Sequence, residues 1–437
     1  MMKLTRQYFP VNRAVFGDHT SYRDGVLTIS EEELQGVIKP LLKHIKSVRF
    51  ELVNPGENTR IIHVLDTLQP MYKLSGSGMQ YSGFFGDPTM VGDGVTNLLT
   101  GFSVMESAAL PWDAANASSG LLYPRDAIID MTGPIKDMTP FSQTINFVII
   151  YEVVEGKSSQ EYDTEIRSIG IRTATYFASL TKDLAPESKE DFSIDDVDPS
   201  LPNVVLVWQC QNQGYYSDTF LYGVPIDNIV PTILHPNEML DGCVVSGNCV
   251  WPAFKVPTYV HCNHPILLNL YRNHGKTLNF RGVIFCRSHQ PSNWHKTRQA
   301  NMNVKLAQYL DADGLIMAWE GGGNACVDGM LTIQCAEQHN IRSSLITFEF
   351  GGKDGTEGIL LVDDVPEADA VISGGSFERS RTLPDMDRVV GGTTLRLNKE
   401  AGGFFPPAEK SIVLDNAVHL YMSGNQSGYS HITAEAY

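Results

Sequence analysis

The sequence predicts an α/β protein. A β-rich N-terminal region covers residues 1–135, and two βαβ-type domains, 136–248 and 249–437, flank the internal segment Ser246-Gly247-Asn248-Cys249-Val250. Three observations lead there. Continuous apolar runs of strand length alternate with amphipathic stretches of helix length, the grammar of strands covered on both faces by helices. Three successive late strands end in glycine-rich loops. The chain has 437 residues, 42% hydrophobic and 19% charged, enough for two or three domains with cores that need no disulfide staples.

In the N-terminal region, Gly25-Val26-Leu27-Thr28-Ile29, Val48-Arg49-Phe50-Glu51-Leu52-Val53 and Thr59-Arg60-Ile61-Ile62-His63-Val64-Leu65 read as strands. A helix over 31–46 opens on Ser30, with Glu33 placed for a capping box. Glycines between 76 and 101 mark a loop-rich region, and 127–134 is a strand and a turn. In the second block, Ile145-Asn146-Phe147-Val148-Ile149-Ile150-Tyr151 is a buried strand. The stripe Ile166, Ile169, Thr173, Phe177, Leu180 makes 162–180 a helix, and Val204-Val205-Leu206-Val207-Trp208-Gln209 a second buried strand. The third block repeats the pattern, with strands at 279–286, 314–319, 345–350 and 368–375 and helices at 294–310 and 326–339. Its loops, Glu320-Gly321-Gly322-Gly323-Asn324 and Gly351-Gly352-Lys353-Asp354-Gly355, are expected to face one site, because ligands of open α/β sheets bind outside the carboxyl ends of strands.

Composition excludes several function classes. A formal net charge of −17 without Lys/Arg clusters argues against nucleic acid and anionic membranes as partners. Seven cysteines with no CxxC pair fit a reducing cytoplasm. No signal peptide and no 18-residue apolar span are expected, so the protein is expected to be cytoplasmic.

Candidate chemistry centres on Cys249. It reads either as an ordinary buried thiol in a turn or as a nucleophile that attacks the preceding Asn248 carbonyl, with Gly247 permitting the strained turn. Elimination from the resulting thioester would turn Cys249 into dehydroalanine, which hydrolyses to a pyruvoyl ketone able to form a Schiff base with an amine. Gly321-Gly322-Gly323 lacks dinucleotide spacing and suits close approach of a substrate or partner. His261-Cys262-Asn263-His264 lacks the fuller zinc patterns, so no metal is expected. His261 is a candidate proton donor instead. Glu320 and Glu349 end neighbouring strands and suit either acid/base work or salt bridges to Lys353 or Arg381.

The run His235-Pro236-Asn237-Glu238-Met239-Leu240-Asp241-Gly242, Ser246-Gly247-Asn248-Cys249-Val250, Pro257-Thr258-Tyr259-Val260-His261 resembles the proprotein of glycine/sarcosine/betaine reductase component B, to which the D-proline reductase proprotein is related. Ile129-Asp130-Met131-Thr132-Gly133-Pro134 and Glu320-Gly321-Gly322-Gly323-Asn324 extend the likeness. The resemblance implies an internal processing site. The Asn248-Cys249 bond is cut and Cys249 becomes a pyruvoyl cofactor, with Ser246 and Gly247 at the cut and His261, Thr258 and Tyr259 supporting it. It implies an oxidoreductase that breaks a C–N bond in an amino acid or N-methylated glycine. Gly322, Gly323, Asn324, Gly352 and Lys353 are the substrate-loop candidates. Lys255, Arg281 and Lys353 are candidates for the substrate carboxylate. The implied partners are a subunit bearing selenocysteine or cysteine and a component A-like carrier protein, in an oligomeric assembly. The loop Gly322-Gly323-Asn324-Ala325-Cys326-Val327-Asp328 is less polar than the family pattern, which leaves the substrate open. A D-proline-reductase-type enzyme and an unprocessed, non-catalytic binding scaffold are the alternatives.

Overall fold

The computed structural model describes residues 2–111, 126–212, 219–247, 251–352, 361, 363–376, 378–397 and 404–429. Asn248, Cys249, Val250 and Lys353 lie outside the described residues.

The chain is α/β, built from mixed sheets and few helices. One N-terminal sheet contains β1 (Ile45–Val53), β2 (Val64–Leu68), β3 (Phe102–Ala108) and β4 (Ile145–Val153), in the order β1-β4-β3-β2. β4 runs parallel to β3 and antiparallel to β1. The helix α1 (Ser159–Ser179) lays Tyr162, Ile166, Ile169, Ala174 and Phe177 into the core shared with Leu68, Phe102 and Phe147. Its Ser158 cap and Glu161 complete a capping box. The early helix is shorter than its pattern suggests. It spans Glu31–Ile38 because Pro40, which lacks an N–H, turns the next residues into a 3₁₀ turn. The expected strand over 59–65 is broken at His63, whose φ of 56° no strand allows.

A six-stranded sheet carries the second half of the molecule: β5 (Asn203–Cys210), β6 (Thr232–Leu234), β7 (Asn279–Arg287), β8 (Gly314–Trp319), β9 (Arg342–Glu349) and β10 (Val371–Ser376). The order is β6-β7-β5-β8-β9-β10, parallel except for β6 at the edge. Counting the parallel strands alone, the second lies on one side of the first and the third on the other. That is the doubly wound arrangement whose crevice opens where the winding reverses, between the carboxyl ends of β5 and β8. The crossovers β7 to β8 and β8 to β9 are the helices α3 (Asn293–Tyr309) and α4 (Ala325–Gln338).

One expectation changes here. The strands at 145–151 and 204–209 do not form one βαβ unit: β4 pairs within the N-terminal sheet, and β5 founds the second. Strand length and apolarity fix that a strand is buried, not which neighbour buries it. β5 lies before residues 248–250 and β7 after them, so one sheet holds strands from both sides of that segment.

A buried ion pair ties the early and late chain together. Arg60 forks onto Asp130 at 2.6 and 2.8 Å and donates to the carbonyls of Ala408, Lys410 and Pro384. Arg60→Ala strands the Asp130 carboxylate in dry surroundings and is expected to cost about 3–5 kcal/mol. The check is the urea unfolding midpoint; an unchanged midpoint would show that the pair contributes nothing net.

Candidate active site

The carboxyl ends of β5 and β8 converge in register, with Gln209 opposite Trp319 and the Glu320 N–H donating to the Gln209 carbonyl at 2.7 Å. Cys210 therefore ends β5 beside Glu320, which follows β8. His261 joins them from the short helix α2 (Thr258–Cys262). One ligand-type atom of each of Cys210, His261 and Glu320 lies within 4.8 Å of the others, and all three residues are fully buried.

This donor set is already committed. The Trp208 indole N–H donates to His261 Nδ1 at 3.3 Å, so the neutral ring carries its proton on Nε2. That buried Nε2 has no hydrogen-bond partner among the described residues. A metal at Nε2 would require an imidazolate, so the geometry favours a hydrogen-bond donor over a metal ligand. Both Glu320 oxygens accept backbone N–H bonds, from Val256 at 3.0 Å and Gln211 at 3.1 Å. Burial pushes the Glu320 carboxyl up to about 7, against the opposing pull of the Lys255 charge. Burial likewise pushes the Cys210 thiol well above its usual range and His261 well below its own.

Beside this cluster, other buried side chains grip the chain just before the Asn-Cys bond. The Ser246 N–H donates to Thr258 Oγ1 at 2.9 Å, and the Gly247 N–H to Thr219 Oγ1 at 3.0 Å. The Arg167 guanidinium, paired with Asp163 one helical turn back on α1, donates to the Ser246 carbonyl. The Lys255 ammonium donates to the Gly247 carbonyl and lies 3.5 Å from Asp66 on β2. Asp66 also accepts from the Thr258 N–H at 3.1 Å and from its hydroxyl at 2.5 Å. The N–H and carbonyl groups of Ser246 and Gly247 are thus held by buried side chains from α1, α2, the loop after β5 and the segment before α2, with Asp66 of β2 behind Thr258 and Lys255.

The expected residues divide. Ser246, Gly247, Thr258 and His261 meet in this cluster. Tyr259, on the other face of α2, packs its ring edge-on to Phe141 at 5.4 Å. Lys255 is the one carboxylate-binding candidate that the structure brings here. Arg281 sits near the amino end of β7, the opposite edge of the sheet, and donates to Leu310. The glycine loops are fuller than expected. A Cβ on Gly322 would lie 2.6 Å from the Phe254 ring, so this glycine admits an aromatic side chain of the same protein. Gly323, at φ +60°, has open space beside it, and Asn324 is exposed at the start of α4. The N–H groups of Gly351 and Gly352 donate to Glu378 at 3.0 and 2.6 Å, so that turn already holds a carboxylate.

Asp66, Arg167, Trp208 and Thr219 escaped the sequence reading. A signal existed for two of them: Asp66 interrupts the apolar run Val64-Leu65-Asp66-Thr67-Leu68, and Arg167 stands four residues after Asp163 beside the helix's apolar stripe.

Fold and site together define a doubly wound α/β protein with a buried acid–base cluster at the switch point, beside which buried side chains hold the Ser246-Gly247 backbone. Over residues 2–435 the chain matches the family of glycine/sarcosine/betaine reductase component B subunits, and it belongs to that family. It is 34% identical over 434 residues to the glycine reductase complex component B subunits alpha and beta of Acetoanaerobium sticklandii, covering 97% of each chain. It is 34% identical over 429 residues to the sarcosine reductase complex component B subunit alpha of Peptoclostridium acidaminophilum, again 97% of each. The D-proline reductase proprotein PrdA of A. sticklandii is more distant, 20% identical over 343 residues, 74% of this chain and 51% of that one. No solved structure matches. No helix among the described residues is long and apolar enough to cross a membrane.

Proposed function

We propose that this chain is the proprotein of the substrate-binding subunits of a glycine/sarcosine/betaine-reductase-type complex, cut between Asn248 and Cys249, with Cys249 converted to a pyruvoyl group. The observation that carries this reading is the clamp on Ser246-Gly247. Four buried side chains fix both peptide groups ahead of one Asn-Cys bond, more restraint than an ordinary turn needs. The naming of one relative as subunits alpha and beta together, and of another as a proprotein, supports it.

The surroundings suit a protein-built ketone. His261 offers a buried N–H without a partner, which a carbonyl oxygen accepts. Lys255 and Glu320 supply a cation and an acid of ordinary working range beside it. A pyruvoyl group supplies an electrophilic carbonyl for the amine of an amino acid or N-methylated glycine. The chain's own part is to exclude water, fix the segment and move protons at Glu320. A partner subunit with a selenol or thiol would attack the substrate carbon and expel the amine, and a component A-like carrier would receive the product. Intact-mass measurement after co-expression with the partner tests the reading. Two chains, 1–248 and 249–437, are expected, the second without a free N-terminal amine. A single chain of 48.3 kDa overturns it.

A further inference from the structure

The buried Lys255 ammonium lies 3.5 Å from the Asp66 carboxylate and holds the Gly247 carbonyl, and the N–H of the next residue, Val256, donates to the buried Glu320 carboxyl at 3.0 Å. The Arg167 guanidinium, which holds the Ser246 carbonyl, pairs with Asp163. Counted together, Lys255, Asp66 and Glu320 are neutral only when Glu320 carries a proton. When it ionises, a second carboxylate competes for the ammonium, and one buried negative charge is left uncompensated.

We propose that Lys255 is the positioning residue for processing at Asn248-Cys249, and that Glu320 weakens its hold on the Gly247 carbonyl whenever Glu320 ionises. The inference rests on the processing reading above and adds to it a residue and a pH dependence. The Gly247 carbonyl belongs to the peptide just ahead of the scissile one, so fixing it fixes the plane from which the Asn248 carbonyl departs.

The chemistry explains why charge at this point matters. In the acyl shift the Cys249 thiol gives up its proton, sulfur bonds to the Asn248 carbonyl carbon, the C–N bond breaks and the amine takes a proton. Elimination then removes the Cα proton, breaks the Cβ–S bond and releases a thiocarboxylate on Asn248. Water converts the remaining dehydroalanine to the ketone and ammonia, with no external oxidant or reductant. Both the attacking thiolate and the tetrahedral oxyanion are anions, and an uncompensated carboxylate nearby raises their cost. The groups facing Glu320 are Cys210 from β5, His261 from α2, Lys255 and Asp66. Burial disfavours the charged forms of the Cys210 thiol and the His261 ring, so neither offsets the charge that Glu320 gains on ionising.

The test follows cutting of the full chain, made by cell-free synthesis, by intact mass between about pH 5.5 and 8.5. Lys255→Met is expected to slow cutting on the order of 10²-fold, and Lys255→Arg to restore part of it. For Glu320→Gln the cutting rate relative to wild type is expected to be constant at the acid end. The ratio of its rate to the wild-type rate then climbs by up to about tenfold per pH unit above the Glu320 titration. A merely structural role for Glu320 gives a ratio that is flat with pH. A flat ratio, or Lys255→Met cutting as fast as a normally cut wild type, overturns this inference alone. A wild type that is never cut removes the processing reading and this inference with it.

Discussion

Replacing Cys249 by alanine is expected to leave the protein as one 48.3 kDa chain and to reduce reductase activity to background, a drop on the order of 10³-fold or more. Alanine removes only the sulfur. Without it no thioester forms at Asn248 and no leaving group exists for elimination, so both the cut and the ketone are lost together. The clamp is made by Ser246, Gly247 and their buried partners, and the substitution leaves all of those residues in place. The variant should therefore unfold at the wild-type denaturant midpoint to within about 0.5 kcal/mol, the range of substitutions that break no buried feature. Cys249→Ser retains a weaker nucleophile and should cut slowly, leaving a mixture of one and two chains. Intact mass, an unfolding curve and the amine-dependent reductase assay read the three expectations separately. A Cys249→Ala chain that is still cut at 248/249 would show that the sulfur is not the agent of cleavage.

Cutting need not separate the two products. β5 comes from the first and β7, β8, β9 and β10 from the second, and β5 pairs with both β7 and β8 at the centre of one sheet. Backbone hydrogen bonds on both edges of a buried strand cannot be exchanged for water without unfolding the sheet. A chain cut at 248/249 would thus be held together by its own topology.

The strands and helices of this second sheet were legible because each carries its own period. Gly314–Trp319, Asn293–Tyr309 and Ala325–Gln338 fall within a residue of the boundaries that pattern alone suggests. Sheet membership was not legible. β4 and β5 are equally apolar, and only the whole chain decides that one joins Phe50 and Phe102 while the other joins Val283 and Ile316. Short strands rich in glycine and polar residues were also lost. Gly94–Thr100 sits inside what reads as loop, because its partners rather than its propensity make it a strand. In the site, Ser246, Gly247, Thr258 and His261 stood out because the segment they belong to resembles the family's. Their partners Asp66, Arg167 and Trp208 lie far away in sequence, and each resembles an ordinary member of its own strand or helix until the fold brings them together.

Arg167 carries the other large expectation. Its guanidinium is buried, forks onto Asp163, donates to the Ser246 carbonyl and lies 5.1 Å from the centre of the Phe220 ring. Arg167→Met takes the guanidinium away from the buried Asp163 carboxylate and is expected to cost about 3–5 kcal/mol. A processing defect in that variant alone could therefore reflect poor folding. The double variant Arg167→Met/Asp163→Asn separates the two effects. With both charges gone, replacing the pair by neutral groups of similar size should return stability to within about 1–2 kcal/mol of wild type. The Ser246 carbonyl remains without its donor in both variants. Cutting at 248/249 should therefore stay on the order of 10²-fold slow in the double variant even though its unfolding midpoint recovers. If the rate recovers along with the midpoint, Arg167 serves the fold alone and the clamp reduces to Lys255, Thr258 and Thr219. If stability recovers and the rate does not, the grip on Ser246 is part of the processing machinery, because the two variants differ in stability and share the loss of that hydrogen bond.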